Sequence, residues 1–306
     1  VRKPNAMGNE KEVCGRVVSA HGRHYTIELT DGTQRTCFPK GKKTDAAVGD
    51  NVLVQLEGEE EGVIVKRLER RNLLYRSDDM RTKQFAANVD LLLIVVATTP
   101  AFSDDLVGRA LVAARAAGID CLIILNKADI QENLKTARER LKAFSAFDLP
   151  VIELSALNAD QVNATLLPHL RDKTCLLLGQ SGMGKSTLLN TLIPNAKAQT
   201  QAHSIALDAG KHTTTSTRLY DLPQGGHLID SPGFQNFGLY HLSNTEIEAG
   251  FAEFAPYTGQ CRFYNCSHRH EPGCAILEAV KSGAIPPSRH ALYVRLLAEN
   301  EAQGRY

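Results

Sequence analysis

Residues 179 to 186 read Gly179-Gln180-Ser181-Gly182-Met183-Gly184-Lys185-Ser186, a complete G-x-x-x-x-G-K-[ST] pattern. It follows the apolar run Cys175 to Leu178 and precedes a helical pattern, Ser186 to Ile193, so strand, loop and helix come in the order the motif demands. Glycines let the backbone curl until successive N–H groups point at phosphate oxygens, and the helix N-terminus adds partial positive charge. Lys185 then reaches the β- and γ-phosphates. Ser186 offers a hydroxyl to Mg²⁺, with Thr187 beside it at the start of the helix. A chain carrying this element folds around a mostly parallel sheet with helices on both faces.

The surrounding pattern agrees. Val89 to Ala97, Asp120 to Leu125, Val151 to Leu154 and Cys175 to Leu178 read as buried strands. Between them lie helices at Asp104 to Ala117, with Ser103 as N-cap and Gly118 past the end, at Gln131 to Ala146, and up to about Leu170. Before this α/β part, five short strands are expected at Val13 to Ser19, Tyr25 to Leu29, Gln34 to Phe38, Asn51 to Gln55 and Gly62 to Lys66. Asp31-Gly32 marks a hairpin turn, and five strands in so short a stretch point to a small barrel of the OB type. Its loop Lys40, Lys42, Lys43 can meet phosphate or simply be a solvated turn. After about Thr245 the chain turns helical, and Pro286-Pro287 opens a last helix, Ser288 to Ala302.

A phosphate loop does not choose a base. Asn126-Lys127-Ala128-Asp129, an N-K-x-D element closing a strand, supplies that choice. Asp129 can accept from guanine N1–H and its exocyclic amine, bonds that adenine does not offer. Lys127 would lay its stem along the base, and Asn126 would brace neighbouring loops. Ser155-Ala156-Leu157 has the form of the companion S-A-x element, in which backbone at Ser155 and Ala156 approaches the guanine oxygen. Asp230-Ser231-Pro232-Gly233 has the form D-x-x-G, with Asp230 on Mg²⁺ through water and the Gly233 N–H near the γ-phosphate. A magnesium-binding threonine is needed between these elements, where Thr213, Thr214 and Thr215 stand; Thr214 is the preferred one.

The cysteines exclude a disulfide scaffold. Of seven, Cys14, Cys37, Cys121 and Cys175 are scattered, whereas Cys261, Cys266 and Cys274 cluster around histidines. Three thiolates and one imidazole form a closed set suited to structural Zn²⁺, with His268 and His270 competing for the fourth place. No apolar run is long enough to span a membrane and no secretory segment stands at residues 1–10, so a reducing cytoplasm is the expected setting. With a net charge of +1, RNA binding would have to come from local patches.

The ordered set of motifs resembles the circularly permuted GTPases. In Ras-like enzymes N-K-x-D and S-A-x come last; here they precede the phosphate loop. With a barrel before and a cysteine cluster after, the chain is similar to the bacterial ribosome small-subunit-dependent GTPase A family. The resemblance implies residues 1–72 as an OB-fold RNA-binding barrel, 73–242 as a permuted α/β P-loop GTPase domain and 243–306 as a mainly helical zinc-binding domain. It selects His268 through the spacing C-x4-C-x-H-x5-C. It implies GTP hydrolysis in late maturation of the small (30S) subunit, binding to 16S rRNA in the GTP form, release after hydrolysis, and a monomer. Phe234 stands where Ras-like enzymes carry the water-orienting Gln. His212, in Gly210-Lys211-His212-Thr213, is the candidate to orient water, with Thr214 and Lys185 completing the catalytic set. The alternative is a guanine-nucleotide-dependent RNA-binding module with negligible catalysis.

Overall fold

The computed structural model describes residues 12–41, 45–77, 82–194, 196, 217–231 and 238–303. Its first five strands are β1 (Glu12–His21), β2 (His24–Leu29), β3 (Gln34–Pro39), β4 (Asn51–Glu57) and β5 (Glu61–Arg67). They run in the order β1-β2-β3-β5-β4, and pairing of β4 with β1 closes the ring. β3 and β5 are parallel; the other pairs are antiparallel. Alternation decides which side chains fill the barrel: Val17, Ile27, Cys37, Val52, Val54 and Ile64 are all buried. The turn at Asp31-Gly32 forms as expected, with Gly32 at φ 81° and the Asp31 carboxylate accepting from the Thr33 N–H at 2.9 Å.

A hairpin that sequence reading passed over follows, β6 (Leu73–Ser77) with β7 (Thr82–Ala87). Two asparagines hold its base. The Asn72 side chain exchanges two hydrogen bonds with the Val89 backbone, at 2.8 and 2.9 Å. Asn88, at φ 57°, accepts from the Arg71 N–H and donates to the Gly49 carbonyl. Beneath them Arg70 pairs with the buried Asp50 at 2.6 Å, which ties the hairpin to the barrel.

The α/β sheet contains β8 (Leu91–Ala97), β9 (Asp120–Asn126), β10 (Val151–Glu153), β11 (Thr174–Leu178), β12 (Arg218–Asp221) and β13 (His227–Asp230). Its order is β10-β9-β8-β11-β13-β12, parallel except for the antiparallel edge strand β12. All seven positions of β8 are buried, as expected for a strand covered on both faces. β12 also touches β1 through Ser19 and Arg218, so barrel and α/β sheet are continuous. Helix α1 (Asp104–Ala116) has the expected cap, with Ser103 accepting from the Leu106 N–H.

The helix expected over Gln131 to Ala146 is shorter: α2 covers Leu134–Leu141, and Lys142–Phe147 is a 3₁₀ turn. At three residues per turn, Phe144 and Phe147 share a face. Both rings lie against the Arg289 guanidinium, at 5.2 and 5.5 Å. The next helix is split into α3 (Ala159–Thr165) and α4 (Leu167–Leu170), with Pro168 in the first turn of α4. α5 is Lys185–Leu192.

The C-terminal part comprises α6 (Asn244–Ala249), a 3₁₀ turn at Ala252–Tyr257, α7 (Ala275–Lys281) and α8 (Pro287–Gln303). α8 is fastened to α1 by Arg109, which pairs with Glu299 and Asp105 at 2.6 Å each. Its Arg289, 2% exposed, pairs with buried Glu253 at 2.5 Å. Among the described residues no helix is long and apolar enough to cross a membrane.

Candidate nucleotide site and metal centre

Both ends of the phosphate loop need glycine for steric reasons. A Cβ at Gly179 would stand 2.5 Å from the Val95 carbonyl oxygen. At Gly184, where φ is 90°, it would stand 2.2 Å from the Asn126 amide nitrogen. α5 starts directly after Gly184, so Lys185, Ser186 and Thr187 form its first turn. Lys185 is buried, and its Nζ donates to the carbonyls of Gly179 at 2.5 Å and Gln180 at 2.9 Å. Burial lowers its pKa, and the nearby Asp230 carboxylate opposes that shift. Burial also pushes the Asp230 carboxyl up to about 6, with Lys185 pulling it down. An amine and a carboxylate near enough to influence each other's charge thus stand beside the phosphate loop, and Ser231 Oγ donates to the Leu177 carbonyl at 2.7 Å to hold the strand end.

The elements expected to select the base are joined to that loop by one buried side chain. Asn126 donates through Nδ2 to the Met183 carbonyl, and its Oδ1 accepts from the Ala156 N–H, both at 2.8 Å. Three motifs far apart in sequence, residues 126–129, 155–157 and 179–186, therefore meet at the carboxyl ends of β9, β10 and β11, where open α/β sheets bind ligands. Lys127, at φ 58°, donates to the Thr99 and Gly182 carbonyls at 2.8 and 2.9 Å. Its amine braces the phosphate loop, a role added to the expected one of lining the base. Ala128 N–H donates to Leu154, and Ser155 N–H to the Gln161 side chain. Asp129 is exposed at the mouth, free of this bracing role.

Two supports escaped sequence reading. Gln180 Oε1 accepts from the Ser103 N–H at 2.6 Å, tying the phosphate loop to the start of α1. Thr191 Oγ1 donates to the Ala156 carbonyl at 2.7 Å. Both join residues distant in the chain, and no local pattern announces them. His212, Thr214 and Gly233 lie outside the described residues, as do Thr213, Thr215, Phe234, Lys42 and Lys43.

The cysteine cluster does assemble. The donor atoms of Cys261, Cys266, His268 and Cys274 all lie within 4.8 Å of one another, and the set can hold a metal ion. His268 Nδ1 points inward, 3.5 Å from Cys261 Sγ and 3.4 Å from Cys274 Sγ, while those two sulfurs are 3.8 Å apart. The other ring nitrogen, Nε2, faces Glu248 Oε1 at 3.4 Å, so a carboxylate stands behind the imidazole. His270 is exposed and outside the cluster, so of the two histidines the fold brings His268 to the three thiols. α8 supports the loop through His290, donating to the His268 carbonyl at 2.7 Å, and Tyr293, donating to Ser267. Burial would raise the Glu271 carboxyl, but bonds from Ser267 and from backbone N–H groups hold it well below the usual carboxylate range.

Comparison with known proteins places this geometry. Residues 67–240 match the family model described as RsgA GTPase. The chain belongs to the RsgA GTPase family. Relatives named Small ribosomal subunit biogenesis GTPase RsgA include that of Bordetella pertussis, 59% identical over 95% of this chain and 98% of its own length. That of Burkholderia pseudomallei strain K96243 is 55% identical over 97% and 95%. Among solved structures, YjeQ from Thermotoga maritima matches with TM-score 0.72 and 30% identity, covering 97% of this chain and all of its own. YloQ, described as a circularly permuted GTPase, matches with TM-score 0.69 and 26% identity over 98% and 99%. The RsgA-family fold is thus the permuted α/β P-loop fold with a barrel before it and a helical region after it.

Proposed function

We propose that this RsgA-family chain hydrolyses GTP to GDP and phosphate in the late maturation of the small ribosomal subunit. It binds 16S rRNA on the 30S subunit in its GTP form and leaves after hydrolysis. The observation that carries the nucleotide reading is the Asn126 bridge, which holds the phosphate loop and the guanine-side loops in one constellation. Asp129 selects guanine, with Ser155 and Ala156 beside it. Gly179, Gln180, Ser181, Gly182, Met183 and Gly184 wrap the phosphates, and Lys185 neutralises them as it leaves its two carbonyl partners. The ribosomal partner rests on the relatives' names and on their nearly full-length match to this chain.

Ser186, Asp230 and Thr214 would hold Mg²⁺, which when bound spreads charge off the β- and γ-phosphate oxygens. His212 orients the attacking water, and Gly233 senses the γ-phosphate. The cysteine cluster holds Zn²⁺. Tetrahedral zinc with Zn–S of about 2.3 Å and Zn–N of about 2.05 Å has edges of about 3.8 Å between sulfurs and about 3.5 Å from sulfur to nitrogen. The separations among Cys261, His268 and Cys274 are 3.8 Å and 3.4 to 3.5 Å, and Cys266 completes a set whose donor atoms all lie within 4.8 Å of one another. Residues 1–72 act as the RNA-binding barrel, 73–242 as the GTPase and 243–306 as the zinc region, in a cytoplasmic monomer.

GTP turnover measured with small subunits, with large subunits and alone tests this. Strong stimulation by small subunits only is expected. Absence of turnover under every condition would favour a nucleotide-dependent binding module instead.

A further inference from the structure

Among the described residues four large apolar side chains are exposed: Val151, Leu157, Phe263 and Tyr264. Two of them are neighbours on the short loop between the metal ligands Cys261 and Cys266, and Tyr264 stands wholly in solvent at 106% relative exposure. The loop is tightly built. Cys266 N–H donates to the Phe263 carbonyl at 3.3 Å, and Arg262 N–H donates to Gly273 at 3.0 Å. A Cβ at Gly273 would meet that of Arg262 at 3.0 Å, so the absence of a side chain there lets the two strands of the loop lie together. Two exposed rings on a pinned loop are pre-organised for contact, since little conformational freedom remains to be lost.

The charge around the rings narrows the partner. The Arg262 guanidinium lies 5.5 Å from the Phe263 ring centre and has no ion-pair partner among the described residues. The acidic side chain of the same loop, Glu271, is turned inward onto the Ser267 N–H and hydroxyl and the Arg269 N–H. A protein pocket would ask for a wider apolar surface around the rings, but their neighbours in the chain, Arg262 and Asn265, are basic and polar and both exposed. Exposed aromatic faces beside an uncompensated cation are what unpaired bases stack upon, because every base has a π-face and every linkage a negative charge.

We propose that Phe263 and Tyr264, with Arg262, form a stacking platform for unpaired bases of single-stranded RNA. This rests on the ribosomal reading above and names the chemistry by which the zinc region would grip its partner. The chain contains no tryptophan, so Tyr264→Trp places a single indole on the platform. In the full-length, metal-loaded protein, short oligoadenylate should quench that indole, and duplex RNA of equal length should not. The Phe263→Ala, Tyr264→Ala double variant should bind small ribosomal subunits at least about fivefold more weakly than wild type. Its metal content and GTP affinity should be unchanged, and Tyr264→Phe should bind like wild type.

Unchanged affinity of the double variant for subunits that wild type binds would overturn the platform and leave the proposed function standing. Lost affinity without quenching by oligoadenylate would also overturn it, since the rings would then be meeting protein. If wild type ignores small subunits, the ribosomal reading fails, and quenching by the oligonucleotide alone decides whether the rings stack on bases.

Discussion

The nucleotide loops and the metal loop both present ligands from irregular backbone, yet they are held in opposite ways. The nucleotide loops grow from β9, β10 and β11, of which β9 and β11 are buried at nearly every position, and hydrogen bonds from the Asn126 amide and the Lys127 ammonium lock them together. Their shape is held by bonds within the protein. The segment from Cys261 to Cys274 has only His268 and Cys274 buried, and its own side chains offer little apolar area to exclude water. There an ion held by the four donors, as proposed above, would supply what a core supplies elsewhere. One site is braced by the protein alone; the other, on the proposed reading, would be built by its ion.

Chelation gives the largest test of that contrast. Structural zinc contributes about 10 to 16 kcal/mol in finger peptides, so stripping the metal should melt the segment from Cys261 to Cys274. Amide exchange there should become fast while β8 and β9 stay protected. Uniform protection after metal removal would end the comparison.

Asp129→Asn tests the opposite side. The fold should be intact, GTP affinity should fall on the order of 10⁴-fold, and xanthosine triphosphate should be gained, because the amide can donate to the C2 carbonyl of xanthine. Equal loss for both nucleotides would mean that the pocket is less pre-formed than its braces indicate.

Glu248→Gln probes how far the metal depends on support from behind. Nε2 of His268 loses a charged acceptor, and metal affinity should drop about 10- to 100-fold in competition with a chromophoric chelator. An unchanged affinity would assign the orientation of His268 to the α8 contacts alone.

The smallest effect concerns pH. Burial lifts Asp230 to about 6, so between that value and the ordinary carboxylate range the folded chain takes up a proton that the unfolded chain does not. Acidification from pH 7 to 5 should therefore add slightly to the stability of the Mg²⁺-free chain while weakening Mg²⁺ binding by about tenfold, since the ion needs the carboxylate. Titration calorimetry with Mg²⁺ and GDP at the two pH values reads this directly, and pH-independent affinity would remove Asp230 from the ion's ligands.

What could be read in advance follows from how local each signal is. The barrel strands emerged within about two residues because alternation and turn residues are written side by side in the chain. The phosphate loop and the elements expected to select guanine could be recognised for the same reason, and the three cysteines converge with His268, the histidine that the resemblance had favoured over His270. The β6–β7 hairpin was missed because Asn72 and Asn88 hold it by side-chain bonds to distant backbone. The 3₁₀ turn that follows α2 was missed because Arg289, against which its Phe144 and Phe147 pack, lies on the last helix. Lys127 was expected on the base alone, and its hold on Gly182 depends on a fold that brings β9 beside β11's loop.

Strand order gives the permuted chain a geometry that an unpermuted one would lack. β11, which carries the phosphate loop, has β8 on one side and β13 on the other. The chain reaches β8 from the barrel through the hairpin, and it leaves β13 toward the metal region. The two outer bodies are thus rooted on the two strands that straddle the phosphates, like the arms of a caliper set across its gauge. In the ordinary order those attachment points would be the start of β11 itself and the far edge beyond β10. A small spreading or closing beside the γ-phosphate would here be delivered to both arms at once, and whatever the arms clasp would feel it as a change of grip.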